Sequence, residues 1–210
     1  VIDGQGLDVF IASNPVFLFD FLNDICNTSY SWTMKKHFSF LLLMVTFLSN
    51  AQLKPVSYSE GGQKLNGFII SPDKKIESNP GILILPAWKG IDDHSKEVAQ
   101  DLSREGYHAF IADIYGEGNY PKDTKEAGEK SGYYKKNYKE YCKRILAALE
   151  QLIKSGADAD NIVVIGYCFG GTGALEAVRA NLRIKAGVSF HGGLGKDPQR
   201  FSNLLQPKVL

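Results

Sequence analysis

Five residues with no polar member, Gly81-Ile82-Leu83-Ile84-Leu85, stand between Pro80 and Pro86. A short unbroken apolar run of this kind is what a strand covered on both faces requires, because neither side of its pleat can meet water. Asn161-Ile162-Val163-Val164-Ile165-Gly166 reads as a further buried strand, residues 184–190 as another, and residues 107–112 as one more. Between these runs the period changes. Asp92 or Asp93 can cap the helix that follows the first run, and Gly106 can stop it. Residues 134–153 place Tyr134, Tyr138, Tyr141, Cys142, Ile145, Leu149, Leu152 and Ile153 on one helical stripe that ends at Gly156. Upstream, Val56-Ser57-Tyr58-Ser59 and Gly67-Phe68-Ile69-Ile70 flank Glu60-Gly61-Gly62 and predict a hairpin. Strands alternating with helices predict an α/β fold with a mostly parallel sheet and helices on both faces. Functional residues should then gather at the carboxyl ends of the strands. Residues 204–210 read as the opening of one more strand, so the sheet is expected to be incomplete at the C-terminus.

Charge narrows the classes of partner. Lys and Arg number 24 against 23 Asp and Glu, for a net charge of +1. No basic excess argues for nucleic acid or an anionic membrane surface, and a small molecule is the expected partner. The lysines and tyrosines of residues 134–153 read as a solvated helix with aromatic core contacts rather than as a nucleotide surface. Cys26, Cys142 and Cys168 fit neither a zinc site nor a disulfide framework. Cys142 falls inside the helical stripe and reads as a small buried hydrophobe. No cofactor or metal is expected.

The first part of the chain reads as a separate matter. Met34-Lys35-Lys36-His37, an apolar run over residues 38–48 and Ser49-Asn50-Ala51 have the layout of a secretory signal peptide, 34–51, cleaved after Ala51. The apolar run is too short for a bilayer, which takes roughly 20 residues, so no stable membrane insertion is expected after cleavage. Residues 1–33 read as a leader outside the native protein, and residues 52–210 as the secreted or periplasmic domain.

One motif carries chemistry. Gly166-Tyr167-Cys168-Phe169-Gly170-Gly171 follows a buried run and precedes a helix-compatible segment. A nucleophile flanked by glycines two residues either side can sit on a sharp, strained strand-to-helix turn, because Gly166 and Gly170 let strand and helix approach closely, with Gly171 beside them. Such a turn holds the Cys168 thiol at a helix N-terminus, where the dipole favours a thiolate. It also leaves the backbone N–H of Phe169 free to face a substrate oxyanion. Two other readings stay open: a phosphate-binding loop and a cysteine that is only structural. Tyr167 and Phe169 are bulky for a phosphate cradle, and the motif stands late in the chain, whereas a dinucleotide fingerprint usually follows the first strand.

Together with Leu83-Ile84-Leu85-Pro86-Ala87-Trp88-Lys89-Gly90 and Ala112-Asp113-Ile114-Tyr115, this motif resembles the dienelactone hydrolase family over about residues 67–194. The resemblance implies an α/β-hydrolase fold in which Cys168 attacks an ester or lactone carbonyl, with a histidine held by an aspartate as its base. It implies a second oxyanion donor at the backbone N–H of Trp88. The chain departs from the family in two places. Ala87 stands where the family carries a glutamate facing the resting thiol, and Gly116 and Glu117 stand where an arginine near the Asp-x-Tyr segment would hold an acidic substrate. A broader small ester or lactone is therefore expected. The resemblance places the triad Asp and His beyond residue 210. His191, just past a strand end, is the alternative base; His94 reads as a helix-start residue, His108 as a strand residue and His37 as part of the signal. The contrasting expectation is a non-catalytic α/β binding protein that keeps the turn as architecture.

Overall fold

The computed structural model describes residues 52–72, 74, 76–195 and 208–209. The leader 1–33 and the signal segment 34–51 lie outside the described residues, with Cys26 and His37 among them.

Strands β1 (Lys54–Glu60) and β2 (Gln63–Ile70) form the hairpin, turning through Gly61 and Gly62, both at positive φ. There follow β3 (Gly81–Leu85), helix α1 (Asp93–Arg104), β4 (His108–Ile111), α2 (Thr124–Lys136), α3 (Tyr138–Lys154), β5 (Ile162–Tyr167), α4 (Phe169–Arg179), β6 (Ala186–Phe190) and β7 (Lys208–Val209). Among the described residues these strands make one sheet in the order β1-β2-β4-β3-β5-β6-β7. β2 runs antiparallel to both β1 and β4, and every other pairing is parallel.

The unbroken apolar runs are split by the pleat between two cores. Leu83, Leu85, Phe110 and Val164 face α3 and α4, where Tyr141, Ile145, Leu149, Phe169 and Ala174 pack. Ile82, Ile84, Ala109 and Ile111 face the other way, toward Ala99 of α1 with Val98 and Leu102 beside it. Side chains alternate across a strand, so a strand with a helix layer on each face needs apolar residues at every position. Helix α1 begins as its sequence suggests: Asp92 accepts the Ser95 N–H at 2.9 Å, and the Ser95 hydroxyl accepts the Asp92 N–H at 3.1 Å, which closes a capping box.

The single stripe over residues 134–153 requires correction. The structure has two helices there, α2 and α3, divided at Asn137, whose backbone at φ −100 and ψ 56 is not helical. Asn137 ends the first helix by donating both its N–H and its side-chain amide to the Tyr133 carbonyl, at 2.8 and 3.0 Å. α2 starts ten residues earlier than the stripe because Asp123 caps it, accepting the Glu126 N–H at 2.8 Å. Its buried residues, Ala127, Ser131 and Tyr134, are too few and too polar to announce a helix by periodicity. Of the residues expected to open a last strand, 208–209 pair with β6.

Register brings three strand ends together. Leu85 lies opposite Gly166, and Tyr167 opposite Phe190. The loops after β3, β5 and β6 therefore emerge side by side.

Candidate active site

Cys168 occupies the single residue between β5 and α4, at φ 53 and ψ −109. A side chain at positive φ is costly for any residue but glycine. The turn is held there from both sides. The Cys168 N–H donates to the Phe190 carbonyl at 2.9 Å, and the Cys168 carbonyl accepts the Thr172 N–H at 3.2 Å. Glycine is required at two neighbours because the backbones nearly touch: a Cβ on Gly166 would run into the Gly170 carbonyl, and one on Gly170 into the Leu85 carbonyl. At Gly171 a Cβ would come within 2.9 Å of the Ser189 hydroxyl. Cys168 is half-buried at this turn.

Phe169, the first residue of α4, is buried to 1%. Its ring is stacked between Tyr141, at 4.6 Å and 9°, and Tyr115, at 5.8 Å and 1°. The Tyr141 hydroxyl donates to the Phe169 carbonyl at 3.1 Å. As the first helical residue, Phe169 has no intrahelical acceptor for its N–H.

The loop after β3 turns at Ala87-Trp88-Lys89-Gly90, closed by the Gly90 N–H donating to the Ala87 carbonyl at 3.0 Å with Gly90 at φ +89. Trp88 is half-buried, and its carbonyl accepts the Tyr115 hydroxyl at 2.6 Å. Neither the Trp88 N–H nor the Phe169 N–H donates to a backbone carbonyl among the described residues. Ala87, the departure from the family pattern noted in the sequence, brings no charge to the loop.

Tyr115 is held by the segment before it. The buried Asp113 carboxylate accepts the Asn66 N–H at 2.8 Å, the Gly116 N–H at 2.9 Å and the Tyr120 hydroxyl at 2.6 Å. Tyr58 braces the same residue, accepting the Asp113 N–H at 3.1 Å and donating to its carbonyl at 3.2 Å. Burial, then the neighbouring Tyr134 and Cys168, push the Tyr115 phenol well above its ordinary range, so it stays a donor. Burial does the same to Tyr58 and Tyr141.

On the other flank, Tyr167 lies between His94, edge-on at 5.0 Å, and Phe190, stacked at 4.8 Å. His191 is exposed in the turn after β6, at φ 45. Among the described residues neither His94 nor His191 is hydrogen-bonded to Cys168, while His108 is buried in β4. Cys142 is half-buried on α3, with its sulfur 3.6 Å from the Glu176 carbonyl. No group of three or more His, Cys, Asp or Glu side chains among the described residues is arranged to hold a metal ion. No helix among them is long and apolar enough to cross a membrane.

Thus Cys168, Phe169, Gly166, Gly170 and Gly171 come together at one turn, and Tyr115 links Trp88 to that turn through its contacts with both Trp88 and Phe169. Tyr115 and Tyr141 were not legible as site residues. Their only signal was an Asp-x-Tyr segment closing a strand and one tyrosine among several on a helix.

The family model for the dienelactone hydrolase family matches residues 65–208. A Bradyrhizobium sp. protein named "Probable 2-oxo-3-(5-oxofuran-2-ylidene)propanoate lactonase" is 31% identical over 114 residues, which cover 54% of this chain and 46% of that protein. The chain spans about half the length of the curated relatives it matches. Among solved structures, a dienelactone hydrolase-like promiscuous phosphotriesterase from metagenomic libraries superposes with a TM-score of 0.68 at 28% identity, over 77% of this chain and 67% of its own. A second, named m3DLH, gives 0.67 at 29% identity, over 72% and 64%.

Proposed function

Since this chain belongs to the dienelactone hydrolase family, we propose that it hydrolyses small ester or lactone substrates through Cys168 as the nucleophile. The thiolate sulfur attacks the carbonyl carbon, and the carbonyl electrons move onto oxygen. The N–H groups of Trp88 and Phe169 receive that oxyanion. When the tetrahedral intermediate collapses, the carbon–oxygen bond of the ester or lactone breaks and the departing oxygen takes up the proton first removed from the thiol. Water then attacks the thioester, releasing the carboxylic acid and restoring the thiol. By the family resemblance, a histidine held by an aspartate carries the proton. No cofactor enters.

The observation that carries this reading is the Cys168 backbone: a half-buried cysteine held at φ 53 at the N-terminus of α4. A purely structural cysteine gains nothing from that conformation, whereas a nucleophile is presented by it. The test compares the full-length protein with Cys168→Ala on an aryl acetate and a small lactone, and maps iodoacetamide adducts on the folded protein. Expected are alkylation at Cys168 and loss of turnover in the variant. Turnover that survives Cys168→Ala would remove Cys168 as the nucleophile, and a native protein without turnover whose Cys168 resists alkylation would leave the non-catalytic binding protein as the better account.

Residues 34–51 are proposed to direct export. A secreted product whose first residue is Gln52 supports this, and one beginning upstream overturns it.

A further inference from the structure

We propose that Tyr115 is the positioning residue of the oxyanion site: one side chain ties together the two segments that carry the backbone donors, bonding the turn at the Trp88 carbonyl and stacking on the ring of Phe169. The inference rests on the reading of Cys168 as nucleophile and adds a residue that acts through the backbone around the donors.

Two peptide planes anchor the turn, and the Trp88 N–H lies in the first of them. The first, between Ala87 and Trp88, is held by the bond from the Gly90 N–H to the Ala87 carbonyl at 3.0 Å. The second, between Trp88 and Lys89, is the central peptide of the turn, which rotates when one turn type converts to another. Its carbonyl accepts the Tyr115 hydroxyl at 2.6 Å, which fixes it. The same phenol ring lies parallel to Phe169, at 5.8 Å and 1° between planes. The loop after β3 and the start of α4 are thereby referred to a single body.

That body is itself rigid. Tyr115 is 3% exposed, and Asp113, two residues earlier, is fastened to Asn66 in β2, to Gly116 and to Tyr120. A second hydroxyl, that of Tyr141, donates to the Phe169 carbonyl at 3.1 Å and holds Phe169 as well. Preorganised donors matter most when charge develops on the substrate oxygen, so a loosened turn should slow acylation and leave substrate binding alone. Alkylation of the thiol by iodoacetamide passes through no oxyanion and should not depend on Tyr115.

The experiment uses the full-length protein and Tyr115→Phe, which keeps the ring stack and removes the hydroxyl. Expected is a fall in kcat of about 10-fold, as for one lost hydrogen bond, with KM and the rate of Cys168 alkylation each within about twofold. A kcat that is unchanged, or alkylation that falls in step with turnover, overturns the proposal. If the variant does not melt cooperatively, para-aminophenylalanine at 115 replaces it: it keeps the ring and offers a weaker donor, so kcat should fall a few-fold while KM and alkylation stay within about twofold. A kcat at the native value, or alkylation that falls in step with turnover, overturns the proposal. Either result stands apart from the nucleophile question, which Cys168→Ala answers separately.

Discussion

The Cys168 N–H donates to the Phe190 carbonyl at 2.9 Å, one step past the last paired residues of β5 and β6, Tyr167 and Phe190. The parallel ladder thus continues into the turn, and the thiol is carried by the sheet rather than by a free loop. Sites set on regular elements hold their geometry better than sites on loops, and here the strained residue is the first one beyond the strand.

Close approach at that turn should make two glycines irreplaceable. A Cβ on Gly166 or Gly170 meets backbone carbonyls that have no side-chain freedom to yield, so Gly166→Ala and Gly170→Ala should each cost about 2 kcal/mol or more, the scale of overpacking. Gly132, within α2, has nothing within 4 Å of an added Cβ, and Gly132→Ala should stabilise by up to about 1 kcal/mol through helix propensity. Urea unfolding midpoints compare the three. Equal effects at all three positions would remove the steric argument.

Asp113→Ala should be among the more damaging single changes outside the turn. The carboxylate is 1% exposed and receives three donors, of which the Asn66 and Gly116 N–H groups belong to the backbone. Truncation strands them, at about 3 kcal/mol on the scale of hydrogen bonds to charged groups. Asp113→Asn should rescue only part, because its amide turns one acceptor into a donor facing donors. Denaturation of both variants checks this, and an Asn variant as stable as the native chain would show that the acceptor count is not what matters.

Alkaline pH should loosen the fold through its buried phenols. Tyr58, Tyr115 and Tyr141 are all raised above the ordinary value of 10.0, chiefly by burial. Below that value both folded and unfolded chains hold the proton, and the contribution is fully present. Above it the unfolded chain releases protons that the folded chain keeps, so stability falls as pH rises, by about 1.4 kcal/mol per pH unit for each phenol. Urea midpoints taken between about pH 9 and about pH 12 should decline together with the onset of tyrosinate absorbance. A midpoint that stays level through that window would contradict the burial of these hydroxyls.

What could be read in the sequence was whatever depends on short range. The runs at Gly81–Leu85 and Ile162–Tyr167 are apolar at nearly every position because helices cover both faces, and such runs need no tertiary knowledge to recognise. The turn at Cys168 was legible for a related reason: only glycine fits the close approaches, so geometry writes itself into residue type. The break at Asn137 was hidden because α2 and α3 meet with barely an interruption, and Tyr134 packs among the residues of α3. The Asp113 and Tyr115 contacts were hidden differently. They join β2, the loop after β3 and the start of α4, and no spacing along the chain encodes a meeting of residues 66, 88, 113 and 169.

The last expectation concerns strain held for function. Cys168 adopts φ 53 although it carries a Cβ, and a non-glycine residue in such a conformation costs on the order of 1 kcal/mol or more. Cys168→Ala removes the sulfur and keeps that penalty; Cys168→Gly removes both. Because glycine also has more freedom to lose on folding, by about 0.5–1 kcal/mol in a regular element, the net gain is reduced, yet at positive φ its native conformation is unstrained. The glycine variant should therefore be at least as stable as the alanine variant, by up to about 1 kcal/mol, the reverse of their order at an ordinary helix position. Both should lack turnover if Cys168 is the nucleophile. Thermal and urea unfolding of the pair decides it: a glycine variant clearly weaker than the alanine one would mean that the turn stores no strain, and the mechanical reason for placing a nucleophile there would lose its support.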